Sequence, residues 1–220
     1  MTLVPDYKTF ETEDTPLPQV VSDASGLFWV CKRAFDLFFS TIFLVPATLF
    51  VAFWLLLLNP FFNPGPMFYR QTRRGRDCKP FRALKFRTMD VRKRHSRGPN
   101  DPVEADRVTG LGRFLRRSRF DELPQVLNVY RGDMSLIGPR PDYYRHARYY
   151  MEIIPGYRQR HAVRPGISGF AQIELGYAVG TDATRLKTEA DLKYITKAGF
   201  ALDTQIFLRT IGAVVRMRGH

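Results

Sequence analysis

The stretch Leu37 to Leu58, LFFSTIFLVPATLFVAFWLLLL, runs for 22 residues without a formal charge and carries Pro46 near its middle. As a helix it would be roughly 33 Å long, about one hydrocarbon core thick. Lys32 and Arg33 stand just before it, and Arg70, Arg73, Arg74 and Arg76 just after it. Cytoplasmic flanks collect Lys and Arg, so bases on both sides place both ends on the same membrane face. Pro46 removes a backbone donor and crowds the preceding turn, which supplies the place to bend. The expectation is a re-entrant membrane helix over residues 29–60, with an ordinary single span kinked at the proline as the alternative. A cleaved signal peptide does not fit, because the stretch starts too late and is too long.

Working outward, residues 1–28 mix prolines with acids and show no sustained apolar period, the pattern of a flexible tail. Residues 61–220 are then one membrane-associated catalytic or binding domain, since 220 residues suffice for a compact domain plus an anchor. The chain carries a net charge of +13, and residues 70–119 alone hold seventeen bases and five acids. A cluster directly after a membrane stretch suits anionic lipid and phosphorylated substrates. Nucleic acid attracts the same charges, but the adjoining apolar stretch favours membrane lipid over it. Cys31 and Cys78 fit no disulfide framework or zinc spacing, and the four histidines form no metal-ligand motif.

The fold class read from the pattern is mixed α/β with few strands. Met67 to Gln71 and Phe81 to Met89 read as the arms of a hairpin around Arg74-Gly75-Arg76-Asp77, with Lys85 and Arg87 sharing one face. Residues 92–106 read as a loop and Leu111–Arg117 as a short basic helix. Ser118 is placed to start a further helix that carries Asp121 and Glu122 in or near its first turn and ends at Gly132. A helix over Tyr143–Ile153 follows. Asp203–Arg218 reads as an amphipathic helix, core-facing or interfacial.

Three constellations could carry chemistry, each against a plain structural alternative. Asp121 and Glu122 suit a helix start, yet they interrupt a run containing Arg113, Arg116, Arg117 and Arg119, where phosphates would gather. A carboxylate there can attack phosphorus or hold a magnesium ion. Arg140 lies between Pro139 and Pro141, a restricted backbone suited to bidentate contact with a diphosphate or to a structural ion pair. Lys85 and Arg87 project from a strand face, as substrate contacts or as a solvated edge.

Read together, the motifs resemble the bacterial sugar transferases, also called monotopic phosphoglycosyl transferases. The marks are Lys32-Arg33-x-Phe35-Asp36, Pro46, Gly65-Pro66-x-Phe68-x-Arg70-Gln71 and Lys85-Phe86-Arg87-Thr88-Met89. Further on come Asp121-Glu122-Leu123-Pro124-Gln125, the run Arg131 to Pro141, and Arg164-Pro165-Gly166-Ile167-Ser168-Gly169. They extend from about Lys32 to Arg218, and the part after Gly176 looks like the exopolysaccharide branch.

The resemblance implies transfer of a sugar-1-phosphate from a nucleotide sugar, usually a UDP-sugar, to polyprenyl phosphate at the cytoplasmic face of the bacterial inner membrane. It makes Asp121 the nucleophile, through an acyl phosphate and with release of UMP. Glu122 becomes its partner as base or in arranging Mg2+, and Lys85 and Arg140 become phosphate-binding or catalytic residues. Arg70, Arg87, Arg164, Pro139 and Pro141 fall in the motifs expected to line the substrates. A homo-oligomer is compatible with the pattern. Two departures stand out. Val45 precedes Pro46 where members often carry Ser, leaving Thr41 or Thr48 to satisfy a freed carbonyl. Gly169-Phe170-Ala171-Gln172-Ile173-Glu174 replaces a common Gly-Trp-Ala-Gln pattern, which bears on the donor sugar.

Overall fold

A computed structural model describes residues 24–91, 98–99, 101, 104–176 and 180–216. The tail expected over 1–28 falls almost wholly outside the described residues, as does much of the loop expected over 92–106. The apolar stretch lies within one continuous helix of 37 residues, Gly26–Phe62, long and apolar enough to cross a membrane. Its first part, α1 (Gly26–Phe39), is capped by Ser25, whose hydroxyl accepts from the Phe28 N–H. A π turn over Ser40–Leu44 follows, in which the Val45 N–H reaches back five residues to the Ser40 carbonyl. The chain then continues as α2 (Val45–Phe62), with Pro46 in its first turn. A π turn is wider than an α turn, so it gives the pyrrolidine ring room against the preceding carbonyls. Thr41 and Thr48 donate to the carbonyls of Leu37 and Leu44, at 2.8 and 2.6 Å, not to that of Ile42, four residues before the proline.

Both halves of this helix are fastened to the same folded body. On α1, Phe28 enters the main core beside Val129, Met134, Tyr194 and Ile206. Lys32 pairs with Asp203 at 2.5 Å, and Asp36 accepts from the Leu136 N–H at 3.1 Å. On α2, Val51 and Leu55 pack with Phe86 and Leu115. Phe38, Leu49, Phe50, Phe53, Leu56 and Phe61 are exposed, leaving a lipid-grade face outside.

The hairpin forms as expected. β1 (Phe68–Arg74) pairs antiparallel with β2 (Pro80–Phe86), Phe68 opposite Phe86 and Arg74 opposite Pro80. After α3 (Gly110–Arg117), a 3₁₀ turn (Phe120–Gln125) leads into α4 (Val126–Arg131). Gly132, at φ 83°, ends α4 in a conformation that favours glycine. β3 (Ser135–Ile137) then pairs in parallel with β4 (Gly166–Ser168), and α5 (Tyr144–Ile153) lies between them in sequence. Gly166 is required there by proximity, since a Cβ would meet the Gly138 nitrogen at 2.1 Å.

The chain continues through α6 (Phe170–Leu175), α7 (Thr181–Thr196) and α8 (Phe200–Val215). α8 is the expected C-terminal amphipathic helix, begun three residues earlier. It buries Ile206, sets Phe207 against Phe35 and Phe39, and exposes Leu208 and Val215. Helix and short strand thus mix as the sequence pattern predicts, with the strands among the described residues divided between two two-stranded sheets.

Candidate active site

The turn that carries the paired carboxylates is made by a local reversal. Ser118 closes α3 instead of opening the next helix, its hydroxyl donating back to the Phe114 and Leu115 carbonyls. Arg119 then adopts a left-handed conformation, φ 59°, uncommon for a residue with a side chain and worth roughly 1–2 kcal/mol of strain. That reversal sends Asp121 and Glu122 inward at the start of the 3₁₀ turn. Asn128 ties the turn to the hairpin, accepting from the Leu84 N–H at 3.1 Å and donating to the Arg82 carbonyl at 2.8 Å. Lys85, on the same strand, is thereby held over the carboxylates.

Four residues expected in the site meet. Glu122 Oε1 accepts from Lys85 Nζ at 2.6 Å and from Arg140 Nη2, while Oε2 accepts from Arg140 Nη1 at 3.1 Å. Asp121 is held more loosely, with Lys85 Nζ 3.6 Å from Oδ2, beyond hydrogen-bond reach. The electrostatic consequence is a division between neighbours. Burial pushes the Asp121 carboxyl above its usual range, aided by the Glu122 charge and opposed by Lys85, Arg140 and Arg116. Burial would raise Glu122 too, but Arg140 and Lys85 outweigh it and hold the group well below the usual carboxylate range. Glu122 is therefore committed as an anion to its two cations, and Asp121 is the carboxylate left available.

The other expected residues disperse. Arg87 does not share the Lys85 surface: β2 ends at Phe86, and the guanidinium folds inward. Its five N–H groups go to the carbonyls of Asn63, Pro64, Pro66 and Met89 and to Asn63 Oδ1, clamping the segment that leaves the membrane helix. Arg70 is exposed on β1 opposite Leu84. Arg164 donates to the Gly132 carbonyl at 3.0 Å behind α4. Pro139 and Pro141 frame Arg140, whose Nη1 also donates to the Ile167 carbonyl.

Arg116, from the basic run that precedes the carboxylates, adds a cation felt by Asp121 and is oriented by a 2.9 Å bond to the Thr88 hydroxyl. One feature escaped the sequence reading. Behind Arg140 lies a second charged cluster, Asp142, Arg160, Lys187 and Asp191, with the Tyr157 hydroxyl. Asp142 stands 18 residues from Arg160 and 49 from Asp191, separations at which no local motif registers.

The oxygen donors of the site bear on the expected Mg2+. Among the described residues no group of three or more His, Cys, Asp or Glu gathers. Mg2+ is usually bound by one or two carboxylates with substrate phosphates and water completing the shell, so Asp121, with Glu122 beside it, fits a metal that arrives largely held by a diphosphate.

A buried pair of carboxylates amid basic residues, beside a helix long and apolar enough to cross a membrane, is the geometry expected of a membrane-associated group-transfer enzyme. The model of the bacterial sugar transferase family matches residues 27–217, and the chain belongs to that family. It is 41% identical over 213 residues to a UDP-glucose:undecaprenyl-phosphate glucose-1-phosphate transferase of Caulobacter vibrioides, covering 91% of this chain and 73% of the relative. The enzyme of that name from Escherichia coli is 38% identical over 224 residues, 95% of this chain and 47% of the relative. An exopolysaccharide production protein of Rhizobium leguminosarum is 40% identical over 196 residues, 83% of this chain and 94% of the relative. The chain thus spans about half the length of the Escherichia coli relative and most of the other two.

Proposed function

We propose that this chain transfers a sugar-1-phosphate from a UDP-sugar to undecaprenyl phosphate, initiating exopolysaccharide or related glycan assembly. The observation that carries the reading is the unequal pair at 121 and 122: one carboxylate locked by two cations, its neighbour buried among cations and uncommitted. An Asp121 oxygen attacks the sugar-bearing phosphorus, the bond from that phosphorus to the bridging oxygen breaks, and UMP leaves. The acyl phosphate so formed is a mixed anhydride. An oxygen of undecaprenyl phosphate then attacks the same phosphorus and restores the carboxylate. Lys85 and Arg140, oriented by Glu122, face the charge that develops on the phosphoryl oxygens, and Arg116 adds to the same field. Asp121, with Glu122 nearby, would hold the Mg2+ of the diphosphate, which neutralises phosphate charge when bound.

The acceptor is a lipid, so Asp121 has to lie at head-group depth. The helix Gly26–Phe62 is read as re-entrant at the cytoplasmic face of the inner membrane. Support comes from its two ends: Lys32 and Asp36 at one, Val51 and Leu55 at the other, all bind the same body, and a perpendicular crossing would pull them apart. Thr48 in α2 lies 3.3 Å from the carbonyl of Leu123, in the turn that holds Asp121.

The test is purified protein in detergent with Mg2+, undecaprenyl phosphate and a panel of UDP-sugars, followed by UMP release. One or more donors should give UMP, and labelled donor alone should leave a phosphosugar on the Asp121 peptide. Turnover with no adduct on that peptide would end the covalent reading; silence with every donor would end the transferase reading.

A further inference from the structure

Resting on the proposed role of Arg140, we infer that Arg160 is a positioning residue that holds the Pro139-Arg140-Pro141 turn, and through it the Arg140 guanidinium, in register with Glu122.

The argument begins with what this turn lacks. Proline has no N–H, so residues 139 and 141 offer the surrounding protein only carbonyl oxygens as backbone handles. All three carbonyls of the turn are taken, each by a different donor. That of Pro139 accepts from the Gly166 N–H at 3.0 Å, that of Arg140 from Arg160 Nη2 at 2.7 Å, and that of Pro141 from Arg73 Nη1. Of the three donors, Arg160 alone grips both sides of Pro141, since its Nη1 also bonds Asp142 Oδ2.

Arg160 is itself held. It is 2% exposed, and its Nε and Nη2 reach Asp191 Oδ2 at 2.9 and 2.6 Å. Asp142 is fixed by the Tyr157 hydroxyl at 2.8 Å and by Lys187 Nζ at 2.6 Å. An arginine carries five donors on three nitrogens in a rigid fork and so reaches two carboxylates and a carbonyl from separate atoms, where lysine offers three donors on a single nitrogen. α7, which supplies Lys187 and Asp191, is thus connected to Glu122 by one path of direct bonds: Asp191, Arg160, the Arg140 backbone, the Arg140 guanidinium. Shifts of about 1 Å in such a group cost on the order of 100-fold in rate.

The test is a double-mutant cycle in the full chain. Arg160→Gln should lower kcat for UMP release roughly 100-fold with little change in KM, and Arg160→Lys should recover only part of it. In an Arg140→Ala background the same Arg160 changes should be nearly silent on the residual rate, because the group they position is gone. An equal fold-loss in both backgrounds, or an unchanged kcat in Arg160→Gln, would overturn the inference. Should the Gln protein not fold, the Lys protein, which keeps the buried charge, carries the same cycle. Amide exchange at Arg140 and Asp142 gives a readout independent of turnover: it should quicken in the Arg160 variants, and unchanged exchange overturns the inference. If the parent protein releases no UMP with any donor, the transferase reading has failed, and exchange alone decides for Arg160.

Discussion

Arg140 and Asp142, two residues apart, belong to charge clusters built to opposite ends. Around Asp142 the carboxylate oxygens are shared among Arg160, Lys187 and Tyr157, and burial is overcome so that Asp142 stays far below the usual carboxylate range. Around Asp121 burial wins, its nearest cation pairing being a 3.6 Å approach, and the group is pushed up. The first arrangement stabilises a fold by giving each charge a partner. The second leaves a carboxylate expensive to bury and without a hydrogen-bonded cation, the state in which the proposed nucleophile is held.

The largest effect that would sharpen this contrast separates rate from stability. Asp121→Asn should reduce UMP release by about 10³-fold or more, while thermal unfolding stays at or slightly above that of the parent, because a disfavoured buried charge has been removed. Asp142→Asn should do the reverse, costing about 3–5 kcal/mol by leaving Lys187 buried without its bonded counter-charge and Arg160 with Asp191 alone. Differential scanning calorimetry beside a UMP assay measures both. If Asp121→Asn melted as low as Asp142→Asn, the two clusters would be alike and the contrast broken.

Glu122→Gln sits between them. It strips the anion from Lys85 and Arg140, so a loss of about 3 kcal/mol is expected, or roughly 6–12 °C in Tm for a domain of this size, together with most of the activity. A variant that lost activity at unchanged Tm would assign Glu122 to proton transfer instead of anchoring.

The pH dependence sharpens the comparison from a third side. On the proposed mechanism Asp121 attacks as the ionised carboxylate, so kcat/KM, which reports the free enzyme, should fall with acid through a value above the ordinary aspartate range near 4. Stability should fall with acid for a different reason. Burial and the Arg160 charge lower His161 to about 3 against an ordinary 6.5, so between those values the unfolded chain binds a proton that the folded one refuses. Stability from this group is intact above pH 6.5 and is lost as pH falls toward 3, at up to about 1.4 kcal/mol per pH unit. His161→Gln should flatten that slope without moving the kcat/KM limb. A single variant that moved both curves would show the clusters to be one.

How much of this the sequence disclosed follows the same division. Asp121, Glu122, Lys85 and Arg140 were legible because each lies in a compact motif, and the structure brings all four together. Arg87 was placed with Lys85 by strand alternation, a rule that lapsed where β2 ended one residue earlier. Its true office had a trace in the sequence, since Asn63-Pro64-Gly65-Pro66 is poor in N–H groups and rich in carbonyls needing a donor. α7 went unread because its buried residues include Thr184, Thr188 and Asp191, polar side chains at helical spacing that no apolar count detects. The Arg160 cluster was illegible for want of any local signal; only the fold brings Asp142, Arg160 and Asp191 together.

The smallest expected effect concerns the tie between membrane helix and catalytic turn. The Thr48 hydroxyl has one proton, spent mainly on the Leu44 carbonyl at 2.6 Å, with the Leu123 carbonyl at 3.3 Å as a second acceptor. Thr41 likewise serves Leu37 while meeting the Tyr130 hydroxyl on α4. Thr41 lies within the π turn and Thr48 one turn beyond its end, so both couple the irregular helix to the domain beneath it. Thr48→Val keeps the shape and removes the proton, and should cost about 1 kcal/mol with at most a few-fold loss of rate. Thr41→Val should cost as much in stability and nothing in rate, since its partner Tyr130 lies outside the turn that holds Asp121. Equal rates in the two variants would mean that Leu123 is held in place by packing alone. A lower rate in Thr48→Val would make the membrane helix a positioning element of the site as well as its anchor.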